Sequence, residues 1–186
     1  LVLLKENLEK KKIEVPKKEV RPTSAKKREA IFSILESFAI KNAINLYNEK
    51  CFIDLFAGSG SLGLEAISRG ADFTYFYENN NDVYKILKKN CNIICKNYEF
   101  KIFKQNILNI KKINIKFPCS VIFIDPPYKF YSFDIVFKTI INSKILNINT
   151  IIVLETSAQY TPKIPDNLKL INEKKYGITK ILFLKN

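Results

Sequence analysis

Two kinds of apolar run alternate along this chain. Short blocks rich in β-branched and aromatic residues recur at 51–56, 73–77, 100–103, 121–124 and 150–154. Such blocks read as strands, and Val121-Ile122-Phe123-Ile124 reads as one buried on both faces. Between the blocks the apolar residues fall at helical spacing, as in Ala30, Ile31, Ile34, Leu35 and Phe38, or Val83, Ile86, Leu87 and Cys91. This spacing predicts helices over about 24–38, 61–67, 82–96 and 132–143, the first capped by Thr23 or Ser24. Residues 39–50 are predicted as a second helix or a loop, and the Lys/Asn-rich stretch 109–117 as a loop. Two last strand-like runs, 168–173 and 179–184, flank a turn near Tyr176-Gly177. The expected fold is therefore α/β: a mostly parallel seven-stranded sheet with helices on both faces and a C-terminal antiparallel hairpin. Residues 1–20, rich in Lys and Glu, are predicted to form an N-terminal arm ahead of one domain over 21–186.

Composition narrows the chemistry. The chain has 186 residues, 47% of them hydrophobic, enough for one well-cored domain. No run approaches the eighteen or so apolar residues of a membrane span, so no membrane role is expected. There is no His, which removes Ser-His and Cys-His nucleophile pairs and His-containing metal sites. Cys51, Cys91, Cys95 and Cys119 follow neither a zinc spacing nor a secreted disulfide framework, and no metal is expected. Reduced thiols in a cytoplasmic compartment are the expectation. The net charge of +13 points to a polyanionic partner, most simply nucleic acid, although heavy use of Ile, Lys and Asn throughout would also produce a Lys surplus. Arg21, Arg28 and Arg69 are the only arginines. Two of them within eight positions mark sites where a planar fork of donors matters.

Two strand ends carry the candidate chemistry. At 125–128 a buried strand runs into Asp125-Pro126-Pro127-Tyr128, where the prolines fix φ and remove two backbone donors. A carboxylate, free carbonyls and a flat ring suit a planar, amine-bearing ligand. Asp54 precedes the turn Gly58-Ser59-Gly60-Ser61-Leu62-Gly63, which fits the dinucleotide fingerprint, with Glu78 in place to bind a ribose. Read literally, this motif indicates NAD. The added negative charge of Asp54 disfavours a pyrophosphate and favours a cation, and the strand end at 125 offers no base for alcohol oxidation. S-adenosylmethionine, which carries a sulfonium and no phosphate, fits better. Glu78 would accept the ribose hydroxyls, Asn106 would meet the adenine amine, and a branched side chain at Gly60 would intrude on the cofactor. Asp125 and the Pro126 carbonyl would hold the N–H groups of a target amine beside the methyl donor, with Tyr128 stacking on its base.

Arg21-Pro22-Thr23, Arg28-Glu29-Ala30-Ile31-Phe32, the run from Asp54 to Ala66, Ser68-Arg69-Gly70-Ala71 and Asp125-Pro126-Pro127-Tyr128 together resemble the RsmD family. That family comprises bacterial methyltransferases acting on the exocyclic N2 of a guanine in small-subunit (16S) ribosomal RNA. The resemblance runs from about Ile13 to the C-terminus. It implies a Rossmann-like methyltransferase fold, S-adenosylmethionine as cofactor and ribosomal RNA as partner, either naked or in an assembled small-subunit particle. It extends the cofactor set to Asp54, Phe56, Ala57, Gly58, Ser59, Gly60, Glu78, Asn79, Asn106 and Asp125, and the catalytic set to Asp125, Pro126, Pro127 and Tyr128. Arg21, Thr23 and Arg28 become candidates for nucleic-acid contact, with a structural ion pair as the alternative for Arg28. The family's Gly- and Arg-rich arm is replaced here by Val2-Leu3-Leu4-Lys5-Glu6 and by Glu9-Lys10-Lys11-Lys12-Ile13. The chain is expected to act as a monomer. Adenine-N6 methylation of DNA or RNA, and a non-catalytic RNA-binding module, are the alternatives. Asp125 leans toward guanine, which offers two adjacent donors to one carboxylate.

Overall fold

A computed structural model describes residues 2–3, 12–15, 24–95, 99–127 and 129–186. Two short strands, β1 (Val2–Leu3) and β2 (Lys12–Ile13), pair antiparallel at the N-terminus. Ile13 is buried against Ala57, Leu64 and Leu87, so the end of the predicted arm packs on the domain.

Helix α1 (Ala25–Lys41) starts at Ser24, whose hydroxyl accepts the Lys27 N–H, as the capping pattern predicts. It runs three residues past the predicted end, and residues 42–50 form turns. The predicted strand from 51 stops at Asp54 (β3, Cys51–Asp54), because Leu55 and Phe56 already enter the glycine turn. Then follow α2 (Ser61–Ser68), β4 (Phe73–Tyr77), α3 (Asn81–Ile94), β5 (Phe100–Phe103), β6 (Cys119–Ile124), α4 (Phe133–Asn142), β7 (Ile151–Ser157), β8 (Lys169–Tyr176) and β9 (Thr179–Lys185). A 3-10 turn covers Ile107–Asn109, meeting the predicted loop 109–117 only at its first residue.

The seven-stranded sheet has the order β5-β4-β3-β6-β7-β9-β8. The five strands from β3 to β7 pair in parallel, while β9 pairs antiparallel with both β7 and β8. The order reverses between β3 and β6, and in open α/β sheets ligands bind beyond the strand ends at such a reversal. One face of the sheet packs Ile53, Ile122, Ile124 and Leu154 against α4. The other packs Phe52, Phe123, Val153 and Phe183 against α1 and α2. Asp54 and Asp125 alternate with the first set, so both belong to the α1/α2 face.

Gly63 fixes how closely α2 approaches the sheet. A Cβ there would lie 2.2 Å from the Phe76 ring, so only glycine fits that contact.

Candidate active site at the ends of the central strands

The glycine turn is a continuation of β3. Leu55 N–H donates to the Phe123 carbonyl, Ala57 N–H to Tyr77 and Gly60 N–H to Ala57, which binds the turn to β6 and β4. Gly60 caps α2 at φ +89°, a left-handed conformation natural to glycine. A Cβ at Gly60 would meet Leu87 at 2.7 Å and Leu64 at 3.0 Å. A branched side chain there would press on the hydrophobic packing. Ser59 is buried, and its carbonyl accepts the Asn90 amide at 2.9 Å. The same amide bonds the Glu14 carbonyl, and Asn90 Oδ1 accepts the Glu14 N–H. Asn90, buried on α3, thus fastens the N-terminal segment to the glycine turn. A lone Asn on a helix face carries no sequence signal for that role.

Glu78, at the end of β4, is held by two backbone donors. Its Oε2 accepts the Gly58 N–H at 2.9 Å and its Oε1 the Asn80 N–H at 2.8 Å. Each carboxylate oxygen keeps a second lone pair for a ligand. Asn106 caps the 3-10 turn, its Oδ1 accepting the Leu108 N–H at 3.0 Å, which fixes the amide at the end of β5.

A cleft of about 210 Å³ opens between these strand ends. Of the expected residues its lining holds Phe56, Glu78, Asn79, Asn106 and Pro127. Gln105 and Phe130 also line it and were not anticipated; Gln105 lies two residues past β5, and Phe130 lies in the loop between β6 and α4. Asp54, Ala57–Gly60, Asp125 and Pro126 do not line this cleft. Asp54 ends β3 and Asp125 follows the neighbouring β6, close in sequence to the lining residues Leu55 and Pro127.

Asp54 is 2% exposed. Its Oδ2 accepts the Gly63 N–H at 3.3 Å, while Oδ1 is buried with no well-formed hydrogen bond among the described residues. Burial pushes its carboxyl up to about 7, reinforced by the charges of Asp125 and, more weakly, Glu78. The backbone N–H groups of Gly63 and Phe56 pull the other way without overcoming it. Three acids on adjacent strands therefore share one field, and the innermost is poised to ionise when positive charge arrives. Such a site suits a cationic ligand and does not suit a pyrophosphate.

Asp125 has a neighbour not singled out from the sequence. The β6–β7 register, Ile124 beside Leu154, brings Glu155 alongside it. Lys27, from the first turn of α1, donates to Glu155 at 2.7 Å and to the Thr179 hydroxyl at 3.3 Å.

Arg28 corrects an expectation. It is 3% exposed and pairs through Nε with Glu65 on α2 at 2.9 Å, so it is buried away from any nucleic acid and takes the structural role. Arg69 joins the same network, bonding Glu65, Glu36 and Glu29 at 2.8, 2.9 and 3.2 Å. Burial acts to lower the Arg69 pKa, yet the bonds to Glu36 and Glu65 outweigh it and hold the guanidinium above its ordinary value. Arg21, Thr23 and Tyr128 lie outside the described residues. The described residues contain no group of acids and cysteines arranged to hold a metal. No helix among them is long and apolar enough to cross a membrane.

Comparison with known structures places this architecture. The yhhF structure from Escherichia coli aligns with 100% of this chain and 97% of its own, at 25% identity and a TM-score of 0.82. The TYW2 protein of Pyrococcus horikoshii, solved in complex with MeSAdo, shares the fold: TM-score 0.64 and 17% identity over 91% of this chain and 64% of that one. The sheet order, the terminal hairpin and the acids at the strand reversal define a Rossmann-like methyltransferase. Ribosomal RNA small subunit methyltransferase D of Haemophilus influenzae is 31% identical over 169 residues, 90% of this chain and 83% of that protein. The family model described as Conserved hypothetical protein 95 matches residues 5–185, and the chain belongs to that family, the RsmD family.

Proposed function

We propose that this protein transfers a methyl group from S-adenosylmethionine to the exocyclic N2 of a guanine in small-subunit ribosomal RNA, acting as a single chain. The observation that carries the reading is the buried, partly unsatisfied Asp54 carboxyl beside Asp125 at the sheet reversal. The donor residues fit the cofactor's parts. Glu78 would accept from the ribose, Asn106 and Gln105 would meet the adenine, and Asp54 would ionise against the positive end. A volume of about 210 Å³ is below the roughly 300–1,000 Å³ of common ligand sites, so the cleft would hold only part of the cofactor, and its lining fits the nucleoside end. The remainder would lie over the glycine turn toward Asp125. When bound, the cofactor supplies an activated methyl group on a sulfonium.

The chain's own task is to position the nucleophile. A guanine amine is a weak nucleophile because its lone pair is delocalised into the ring. Asp125 accepts from N1–H and N2–H together, and the Pro126 carbonyl accepts the second amine hydrogen. This holds the nitrogen at attack distance and favours its pyramidal form. Asp125 also stabilises positive charge developing on the nitrogen and can take the proton it sheds. Support for RNA as the substrate comes from the name of the Haemophilus relative and from the net charge of +13.

Single-turnover methylation of small-subunit ribosomal RNA tests the mechanism. Asp125→Ala is expected to lower the rate by on the order of 10²–10³, with a far smaller effect on cofactor affinity. A near-normal rate would overturn the assigned role. Asp125→Asn presents a donor to a donor and is expected to be nearly as damaging on guanine. An Asn variant active on adenine targets would overturn the guanine assignment. RNA affinity is expected to fall steeply with salt, and a flat log–log plot would remove phosphate contacts as the source of binding.

A further inference from the structure

A feature of the sheet's upper rim has no part in the chemistry just described. Five aromatic rings form a continuous chain outward from the cleft. Phe56 meets Phe130 edge-on at 5.1 Å, and Phe130 meets Phe133 at 4.9 Å. Phe133, itself buried, stacks on Tyr160 at 5.9 Å, and Tyr160 holds Tyr131 edge-on at 5.2 Å. The chain therefore begins among the cleft's lining residues and ends on Tyr131, which is 62% exposed. Fixing an aromatic ring by its edge while leaving most of it in water does little for stability, because little apolar area is removed from solvent. It does preorganise a flat surface.

The surroundings indicate what that surface takes. Lys129, two residues before Tyr131, is exposed and adopts φ +62°, a strained conformation for a residue with a side chain. An exposed ring close in sequence to an exposed cation, on a chain of net charge +13, matches a nucleotide, with a base to stack and a phosphate to neutralise.

We propose that Tyr131, backed by Tyr160, is a stacking platform for an unpaired base of the RNA substrate flanking the base that is methylated. This rests on the RNA-methylation reading. It adds a second contact that places the RNA strand relative to Asp125. Tyr131 is a positioning residue, since it touches a base that does not react.

The test uses the full chain and small-subunit ribosomal RNA transcribed with 5-iodouridine. Irradiation, followed by mass mapping of cross-linked peptides, is expected to recover Tyr131 or Tyr160. Tyr131→Ala is expected to raise KM for RNA by about tenfold, with cofactor affinity and the single-turnover rate at saturating RNA unchanged. Tyr131→Phe, which keeps the stacking face, is expected to restore KM. Cross-links confined to other regions, or an unchanged KM in Tyr131→Ala while wild type methylates the RNA, would overturn the platform and leave the methylation reading standing. If wild type neither binds nor methylates ribosomal RNA, both fall together. Loss of a protein partner in Tyr131→Ala, with RNA kinetics unchanged, would assign the surface to protein binding and overturn the proposal.

Discussion

Two groups of charge, each centred on a buried residue, sit on the same face of the sheet, built on opposite plans. Under α1, Arg28 and Arg69 meet Glu65, Glu36 and Glu29, and Tyr47 donates to Glu36 at 2.8 Å. Both arginines are paired with glutamates there, two cations against three anions, and the Arg69 guanidinium lies over the Phe32 ring at 4.8 Å. At the strand ends, Asp54, Asp125 and Glu78 are all acids, and Asp54 Oδ1 lacks a well-formed hydrogen bond among the described residues. A paired network holds two helices together. A set of like charges is unfavourable as it stands and becomes favourable when a cation enters, and this difference separates structural charge from functional charge.

The comparison breaks most visibly at Glu65, which bonds Arg28 and Arg69 together. Removing one partner of a buried pair leaves an uncompensated charge, so Glu65→Ala is expected to cost about 3–5 kcal/mol of stability. Chemical denaturation measures this. Cofactor affinity of the folded fraction is expected to stay normal, and a selective loss of affinity would move Glu65 into the functional group.

A smaller effect of opposite kind is expected at Glu78. Glu78→Ala is expected to weaken S-adenosylmethionine binding by about 1.5–3 kcal/mol, the range for hydrogen bonds to a charged group. Calorimetric titration reads the change. Unchanged affinity would leave the Gly58 and Asn80 backbone bonds as the only role of Glu78.

The contrast between the two groups was only half legible in the sequence. The strand ends were, because a strand is a local pattern and the residue that ends it is visible. Asp54, Glu78, Asn106 and Asp125 all stand within a residue or so of the end of an apolar run, or three beyond it at Asn106. The helix-face network was not, because it joins residues far apart along the chain, such as Arg28 and Glu65, 37 positions apart. Their meeting depends on how α1 lies across α2, which no local pattern encodes. The same holds for Asn90 reaching Ser59, and for the direction of a Cβ at Gly60. Glu155 became visible only through the β6–β7 register.

The acid cluster also makes stability depend on pH. A carboxyl that titrates near 7 in the folded chain and near 3.8 when unfolded keeps its proton longer in the fold. The contribution of Asp54 to stability is therefore full below about 3.8, declines as pH rises, and levels off above about 7. Binding of a cation reverses this preference, because it favours the ionised form.

Titration of S-adenosylmethionine into wild type and Asp54→Asn between pH 5.5 and about 7 tests the central claim most directly, a window set by the Asp54 carboxyl near 7. Wild-type affinity is expected to rise with pH by up to about tenfold per unit below 7, with proton release on binding. The Asn variant, which has no proton to lose at that position, is expected to bind more weakly and to show a flat profile across the window. Equal, pH-independent binding by both proteins would contradict the claim that the strand-end acids are arranged to receive a cationic cofactor.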